Sequence, residues 1–141
     1  MFARMKISGF VLAVVAALAL CAGCATRPVS YTLTITQSAS GQAMIAASNE
    51  LSKYLMLTRP PVMVKTAMGR NRVQVGVTNV SQTPLLATYR VTWLDASGSV
   101  LNGLDPKKTI RVIPQDETLL EDVSISPQAV SYKLFLELPT R

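Results

Sequence analysis

Apolar residues recur at every second position in several short segments of this chain, and this spacing constrains the fold more than any other feature. The segment 72–78 alternates valine with polar residues or glycine. The segment 85–95 continues the same pattern over a greater length, with Tyr89 and Trp93 on its apolar side. Because successive side chains of a β-strand point to opposite faces, this period predicts strands with one buried face.

Turn-forming residues separate these segments. Clusters rich in Gly, Pro, Asn, Asp and Ser lie at 38–41, 68–71, 79–84, 95–98 and 114–117, and such residues favour tight turns. Further alternating or extended segments lie at 31–36, 62–67, 110–112, 119–125 and 130–138. About seven short strands joined by turns predict an all-β chain, folded as an immunoglobulin-like antiparallel β-sandwich.

Residues 42–55 are compatible with two structures. A short helix can form there, because six apolar residues fall on one helical face: Ala43, Met44, Ala47, Leu51, Tyr54 and Leu55. Asn49 and the acidic residue after it are a possible start for a helix. The alternative is a loop that ends in a short strand at 54–57. Both interpretations stay open at the level of the sequence.

The first 24 residues resemble the signal of a bacterial lipoprotein. Arg4 and Lys6 give a positive start, and residues 7–20 are mostly apolar. The segment 21–24 resembles the lipobox at which such proteins are cleaved. The resemblance implies that the Sγ atom of Cys24 receives diacylglycerol and that the new N-terminus is then acylated, for example with palmitate.

Other interpretations of this opening fit less well. An ordinary secretory signal needs small residues before its cleavage site, and segment 19–21 matches that pattern poorly. An uncleaved anchor needs roughly 20 apolar residues, whereas 10–25 offers about 16. Lipidation at Cys21 would put bulky Leu20 directly before the cut. Cys24 is therefore the predicted lipidation site.

The predicted cleavage divides the chain into a signal peptide at 1–23, a lipidated tether at 24–30 and a single β-sandwich domain at 31–141 with its core in 48–138. The mature chain keeps 118 of the 141 residues, enough for one modest core. Its 12 basic and 8 acidic side chains give a net charge of +4. The charges are scattered, so nucleic acid is not an expected partner.

The chain lacks the residues of the commonest catalytic and metal sites. It contains no histidine, and its two cysteines lie at positions 21 and 24. Imidazole or thiolate zinc sites and His-dependent nucleophiles are therefore excluded from the mature domain. No motif marks a carboxylate pair or a Ser-Lys pair, so we expect no catalytic residue, no metal, no cofactor and no enzyme activity.

Two strands resemble the YcfL-like family of small periplasmic lipoproteins. The shared features are a strand ending in asparagine at 75–79, a Tyr-Arg-x-x-Trp strand at 89–95 and an Asp-x-x-Gly turn that ends at Gly98. The family's Ala-Pro step is Ser126-Pro127 in this chain. The resemblance covers about residues 48–138 and the lipid signal. It implies an immunoglobulin-like sandwich of unassigned biochemical role.

Tyr89, Arg90 and Trp93 are the candidate partner-binding residues. Tyr89 and Trp93 lie on the apolar face, where core packing is the simpler expectation, although aromatic faces also suit sugar rings. Arg90 lies on the opposite face, where it is either solvated or a contact for an anionic partner. The acidic residues within 116–122 are expected to form a solvated rim.

These features predict a non-catalytic lipoprotein of the bacterial cell envelope that binds a protein partner, such as a component of cell-wall synthesis. Binding is expected at an exposed sheet edge or at a face bearing Leu86, Leu94 and Phe135. The alternative is a peptidoglycan-binding or other glycan-binding module, which needs an aromatic-floored groove with basic residues at its rim. Ala25, in place of aspartate, resembles the outer-membrane sorting pattern of Gram-negative lipoproteins, so the expected location is the outer membrane facing the periplasm.

We expect the substitution Cys24→Ser to leave the domain folded and to release it from membranes. No predicted strand includes Cys24, so removing its sulfur affects the anchor alone. Flotation of membranes on a density gradient measures the effect, and intact mass measures the attached lipid. A variant that still floats with membranes would show that a different anchor holds the protein.

Overall fold

The computed structural model describes residues 30–101 and 106–139, and the strands in these ranges confirm the predicted all-β class. They are β1 (Ser30–Gln37), β2 (Ala43–Ala47), β3 (Leu55–Leu57), β4 (Val62–Lys65), β5 (Asn71–Asn79), β6 (Leu85–Leu94), β7 (Lys108–Val112), β8 (Glu117–Val123) and β9 (Ser131–Pro139). A single 3-10 turn at Leu51–Lys53 interrupts them. Along this part of the chain, no helix is long and apolar enough to cross a membrane.

The strands form two antiparallel sheets. Sheet 1 has five strands in the order β2-β1-β9-β6-β7. In sheet 2, β8 pairs with residues 72–78 of β5, while β4 pairs with 71–74 and β3 with 77–79. Because a strand has only two edges, β3 and β4 share the edge of β5 opposite β8. The predicted antiparallel β-sandwich is confirmed.

The core lies between the two sheets. The alternation in β5 buries Val73, Val75 and Val77 almost completely, as the sequence predicts. Sheet 1 contributes the inward side chains of its three inner strands. They include Leu33 and Ile35 of β1, Ala87, Tyr89, Val91 and Trp93 of β6, and Tyr132, Leu134, Leu136 and Leu138 of β9. Packing between these two layers holds the described domain together without a disulfide.

The helix considered for residues 42–55 does not form. Ala43–Ala47 is a strand whose five residues are exposed, so the helical stripe has no core to cover. β1 supplies the backbone partners, as shown by the hydrogen bond from the Ser48 N–H to the Thr32 carbonyl. The chain then makes one 3-10 turn that buries Leu51 and enters β3. The alternative with a short strand at 54–57 is therefore nearly correct.

Buried asparagines hold both ends of β5. The Asn79 amide donates to the carbonyls of Thr83 (2.8 Å) and Val112 (3.0 Å), and its Oδ1 accepts from the Ser81 N–H (2.9 Å). At the other end, the Asn71 amide donates to the Ala129 carbonyl at 2.5 Å. These bonds satisfy backbone groups in the loops that connect the sheets.

The predicted turns also form. The Asp95 carboxylate accepts hydrogen bonds from the N–H groups of Ser97 (2.8 Å) and Ser99 (2.9 Å), and Gly98 has a φ of 83°. The Ser97 hydroxyl, followed by the Ser99 N–H, holds the pKa of the Asp95 carboxyl below its ordinary value. Asp95 therefore acts as a turn residue.

We expect Asn79→Ala to lower the free energy of unfolding by about 2–4 kcal/mol, because it leaves the buried Val112 carbonyl and two part-buried backbone groups without these hydrogen bonds. Urea denaturation monitored by circular dichroism measures the loss. Thr78→Ala is the matched control, since Thr78 is half-buried on the outer face of the same strand. It should cost less than about 1 kcal/mol. Equal losses in the two variants would contradict the role given to Asn79.

Candidate functional site

Tyr89 and Trp93 lie in the core, so two of the three candidate partner-binding residues do not reach the surface. Trp93 is 1% exposed and Tyr89 is 6% exposed. The Trp93 ring packs at a tilt against Tyr132, with ring centroids 5.7 Å apart. Burial raises the pKa of Tyr132 to about 12. Tyr89 and Trp93 point between the sheets, which is the core position that the sequence favours over a role in stacking against a ligand.

A polar cluster joins the two sheets beside Trp93. The indole N–H donates to Asp122 Oδ2 at 2.7 Å, and Lys108 Nζ lies 2.6 Å from Asp122 Oδ1. The Tyr89 hydroxyl and Lys108 Nζ both donate to the Glu121 carbonyl at 3.0 Å. Burial alone would lower the pKa of Lys108, but hydrogen bonding to Asp122 and its charge outweigh it, so that pKa is raised. The cluster stabilises the contact of β8 with β6 and β7.

Arg90 is the one candidate that lies on the surface. Its guanidinium lies 5.5 Å from the centroid of the Phe135 ring, on the outer face of sheet 1. The predicted apolar face is only partly present, because Leu86 is 55% exposed while Phe135 and Leu94 are half-buried. Six threonines also lie on this face: Thr32, Thr34, Thr36, Thr88, Thr92 and Thr109. The surface is therefore mixed.

The outer face of sheet 2 exposes apolar side chains that the sequence interpretation missed. They are Met56 of β3, Val62 and Val64 of β4, and Leu119 and Val123 of β8. The outward residues of β5 run between them as a polar column. Gly76 lies at the centre of this column. A larger residue would be crowded there, because its Cβ would lie 2.6 Å from Glu117 Oε1 and 2.8 Å from Thr58 Oγ1. This column divides the apolar surface into two narrow strips.

The edge strand β2 is the most accessible backbone in sheet 1. All five of its residues are exposed, and none is charged or proline. Ile45 is 48% exposed although its side chain lies on the inner face with Ile35, its partner in the register. Sheet 1 therefore extends beyond the cover that sheet 2 provides.

A groove of about 710 Å³ lies at the end of the sandwich where β1 begins and β9 ends. Tyr31 and Tyr54 stack in its wall, with ring centroids 5.0 Å apart and an angle of 22° between the planes. Arg111 lines the groove, and the remaining lining residues are Thr83, Pro84, Leu85, Leu86, Leu138 and Pro139. Hydrogen bonding with Tyr54 and then burial raise the pKa of Tyr31, as does the nearby Glu50 carboxylate.

The acidic residues of 116–122 do not form one common site. Asp122 is half-buried in the polar cluster, whereas Glu117 accepts hydrogen bonds from Thr58 Oγ1 and from Arg59 Nη2, each at 2.7 Å. The expected solvated rim is therefore found at exposed Asp116 and Glu121 but not at Asp122. Among the residues that the structure describes, no group of three or more Asp or Glu side chains is placed to hold a metal ion.

Comparison with known protein families identifies the family of this chain. The family model described as "Protein of unknown function (DUF1425)" matches residues 42–138, which is more than half of the chain. The chain belongs to this family. The DUF1425 match includes β2–β9 and with them the buried Asn79 and the Trp93 cluster. Cys24, the predicted lipidation site, precedes both the match and the described residues.

Solved structures are similar to the DUF1425 protein in fold. A DUF1425 family member from Shewanella sp. pv-4 is 17% identical, with a TM-score of 0.51 over 58% of this chain and 73% of that chain. The protein cj0090 from Campylobacter jejuni is 20% identical, with a TM-score of 0.48 over 56% of this chain and 82% of that chain. Among curated proteins, none matches. The Shewanella structure supports the β-sandwich as the family fold.

We expect Glu117→Gln to reduce the loss of stability in acid. Hydrogen bonding from Thr58, together with the charge of Arg59, holds the pKa of Glu117 below its ordinary value of 4.5. A lowered pKa contributes stability above pH 4.5 that is lost as the pH falls through the folded-state pKa. The fall in Tm between pH 7 and about pH 3.5 should therefore be smaller in the variant.

Thr58→Val provides the matched control, because it removes the hydroxyl that donates to Glu117 and keeps the Glu117 carboxylate. This variant should show a reduced acid dependence in the same direction as Glu117→Gln. An unchanged fall in Tm for both variants would show that Glu117 does not contribute to the acid sensitivity of the protein.

Proposed function

We propose that this DUF1425 protein is a lipid-anchored, non-catalytic interaction module of the bacterial cell envelope, and that β2 binds an extended segment of a protein partner. The observation that carries the proposal is the contrast between β2 and the other sheet edges. We also propose that the chain belongs with the YcfL-like lipoproteins, which the strand ending in Asn79 and the Tyr-Arg-x-x-Trp strand support.

The other described edges carry features that oppose strand addition. β7 contains Lys108 and Arg111, and β8 contains Glu117, Glu121 and Asp122. The third edge is broken into two short strands around Pro60-Pro61 and ends in Lys65. Charges, prolines and short strands are common protection against edge-to-edge pairing. β2 has none of the charges or prolines, so it is the edge most open to a partner.

The register shows which backbone groups β2 offers. Ser48 N–H donates to the Thr32 carbonyl and Ser38 N–H donates to the Gln42 carbonyl. Hydrogen-bonded pairs alternate along an antiparallel ladder, so Met44 and Ala46 also bond to β1. The N–H and C=O groups of Ala43, Ile45 and Ala47 therefore point away from β1.

An added strand would extend sheet 1 from five strands to six. Its backbone would bond to the three outward-facing residues of β2, and its side chains would meet Ile45 on one face and Met44 on the other. Backbone hydrogen bonds supply affinity in this mode of recognition, and the alternating side chains supply specificity. An extended peptide is the partner chemistry that such an edge fits.

The proposed location follows from the predicted lipid signal. Lipidation at Cys24 would place the domain in the periplasm, and Ala25 after the lipid site favours the outer membrane. Burial of acyl chains contributes about 0.8 kcal/mol for each CH₂ group, so two or three chains give a stable anchor. Partners within reach there include components of cell-wall synthesis.

A photo-crosslinking residue in place of Ile45, in intact cells, should capture a partner through an extended peptide identified by mass spectrometry. The same residue at Met68, which is exposed in the turn between β4 and β5 of sheet 2, is the matched control. Ala47→Pro removes an outward N–H and leaves the β1–β2 ladder intact, so it should abolish the capture at position 45 without unfolding the protein.

Thermal unfolding of Ala47→Pro verifies that the domain stays folded. Capture that persists in this variant, or that is the same from position 68, would contradict strand addition at β2. Capture of a second copy of the chain would replace the proposed partner with a homodimer.

A further inference from the structure

We propose that the groove at the start of β1 binds a sugar ring that carries an anionic group. This inference is independent of the β2 edge and of the lipid anchor, because it rests on the residues that line the groove. The volume of about 710 Å³ falls within the range of roughly 300–1,000 Å³ that is usual for small-molecule sites.

The groove forms because β9 does not pair with the first three residues of β6. The pairing between these strands starts at Thr88 and Glu137, so residues 85–87 of β6 have no described partner on the β9 side. β7 continues to pair with residues 85–87 on the other side and brings Arg111 next to Leu86. Pro139, which has no N–H to donate, ends β9 at this point. Six of the nine lining residues therefore belong to strands, and Tyr54, Thr83 and Pro84 lie in the connecting segments.

The aromatic pair favours a sugar over an acyl chain. Tyr31 and Tyr54 stack with each other while both remain partly exposed, and each has a hydroxyl group. The Tyr31 hydroxyl lies 3.4 Å from a Glu50 carboxylate oxygen, so acceptors and donors lie beside the apolar surface. Phenol rings with polar edges suit a ligand that has both C–H faces and hydroxyl groups.

Arg111 favours an anionic sugar over a neutral one. Arg111 is one of the residues that line the groove, and none of the four ion pairs among the described residues includes it. A guanidinium group binds carboxylate or phosphate through two parallel N–H donors. A sugar carboxylate and a sugar phosphate have this chemistry in common.

The test uses the full chain, purified in a mild detergent, and isothermal titration calorimetry with defined sugars. N-acetylmuramic acid and glucose 1-phosphate are the anionic probes, and N-acetylglucosamine is the neutral one. We expect at least one anionic probe to bind more tightly than the neutral probe. Arg111→Gln should weaken that binding by about tenfold or more, and Tyr54→Ala should weaken binding of both kinds of sugar by several-fold.

Arg90→Gln is the matched control, because it removes the same charge from the same face of sheet 1 at a position outside the groove. Tyr54→Phe keeps the ring and should retain most of the binding. Circular dichroism verifies that each variant is folded. The proposal is overturned if no probe binds at millimolar concentration, if neutral and anionic sugars bind equally, or if Arg90→Gln weakens binding as much as Arg111→Gln.

Two further experiments distinguish the possible sources of such a sugar. Co-sedimentation with purified sacculi would assign the cell-wall glycan as the source. Co-sedimentation with vesicles that contain a phosphorylated glycolipid, but not with vesicles of phosphatidylglycerol, would assign the membrane. Capture by neither material, or loss of capture in Arg90→Gln as large as in Arg111→Gln, overturns the proposal.

Discussion

β5 is the strand on which sheet 2 depends, because each other strand of that sheet pairs with β5 alone. Its inner face contributes three buried valines to the core, and a buried asparagine lies at each end. Asn79 satisfies the backbone of the loop that leads into β6, and Asn71 bonds to the segment that leads into β9. One strand thus provides the hydrogen-bonding template for sheet 2 and the polar contacts that hold its ends to sheet 1.

The unequal widths of the two sheets determine which surfaces are left for binding. Sheet 2 is three strands wide, because β3 and β4 share one edge of β5, whereas sheet 1 is five strands wide. An edge of sheet 1 therefore extends beyond sheet 2. On the β7 side, the polar cluster of Trp93, Lys108 and Asp122 joins the sheets. On the β2 side, Tyr31 of β1 stacks on Tyr54 at the groove end, but Ile45 of β2 stays half-exposed. The uncovered edge is therefore a consequence of the sandwich architecture, which makes it a stable feature of the surface.

The sequence predicts the strands well wherever one face is buried. In β5, β6 and β9 the two-residue period identifies both the strand and its inward residues, since burial of alternate side chains produces that period. β2 has no such signal, because all five of its residues are exposed and small or apolar residues fit a helix equally well. Its structure depends on pairing with β1, the strand before it in the chain, and the spacing of apolar residues within 43–47 does not report that pairing. The same limit applies to the groove, where Tyr31, Tyr54 and Arg111 come from three separate segments.

The proposed tether would give the two candidate surfaces different orientations relative to a membrane. β1 begins at Ser30, at the end of the sandwich that holds the groove. From Cys24 to Ser30 the chain can span at most about 20 Å, so a lipid on Cys24 keeps this end near the bilayer. With the proposed anchor in place, the sugars of lipid headgroups would be within reach of the groove. β2 is antiparallel to β1 and runs along the side of the domain, where a partner in the periplasm can approach it without displacing the membrane. The proposed anchor therefore leaves both surfaces usable at the same time.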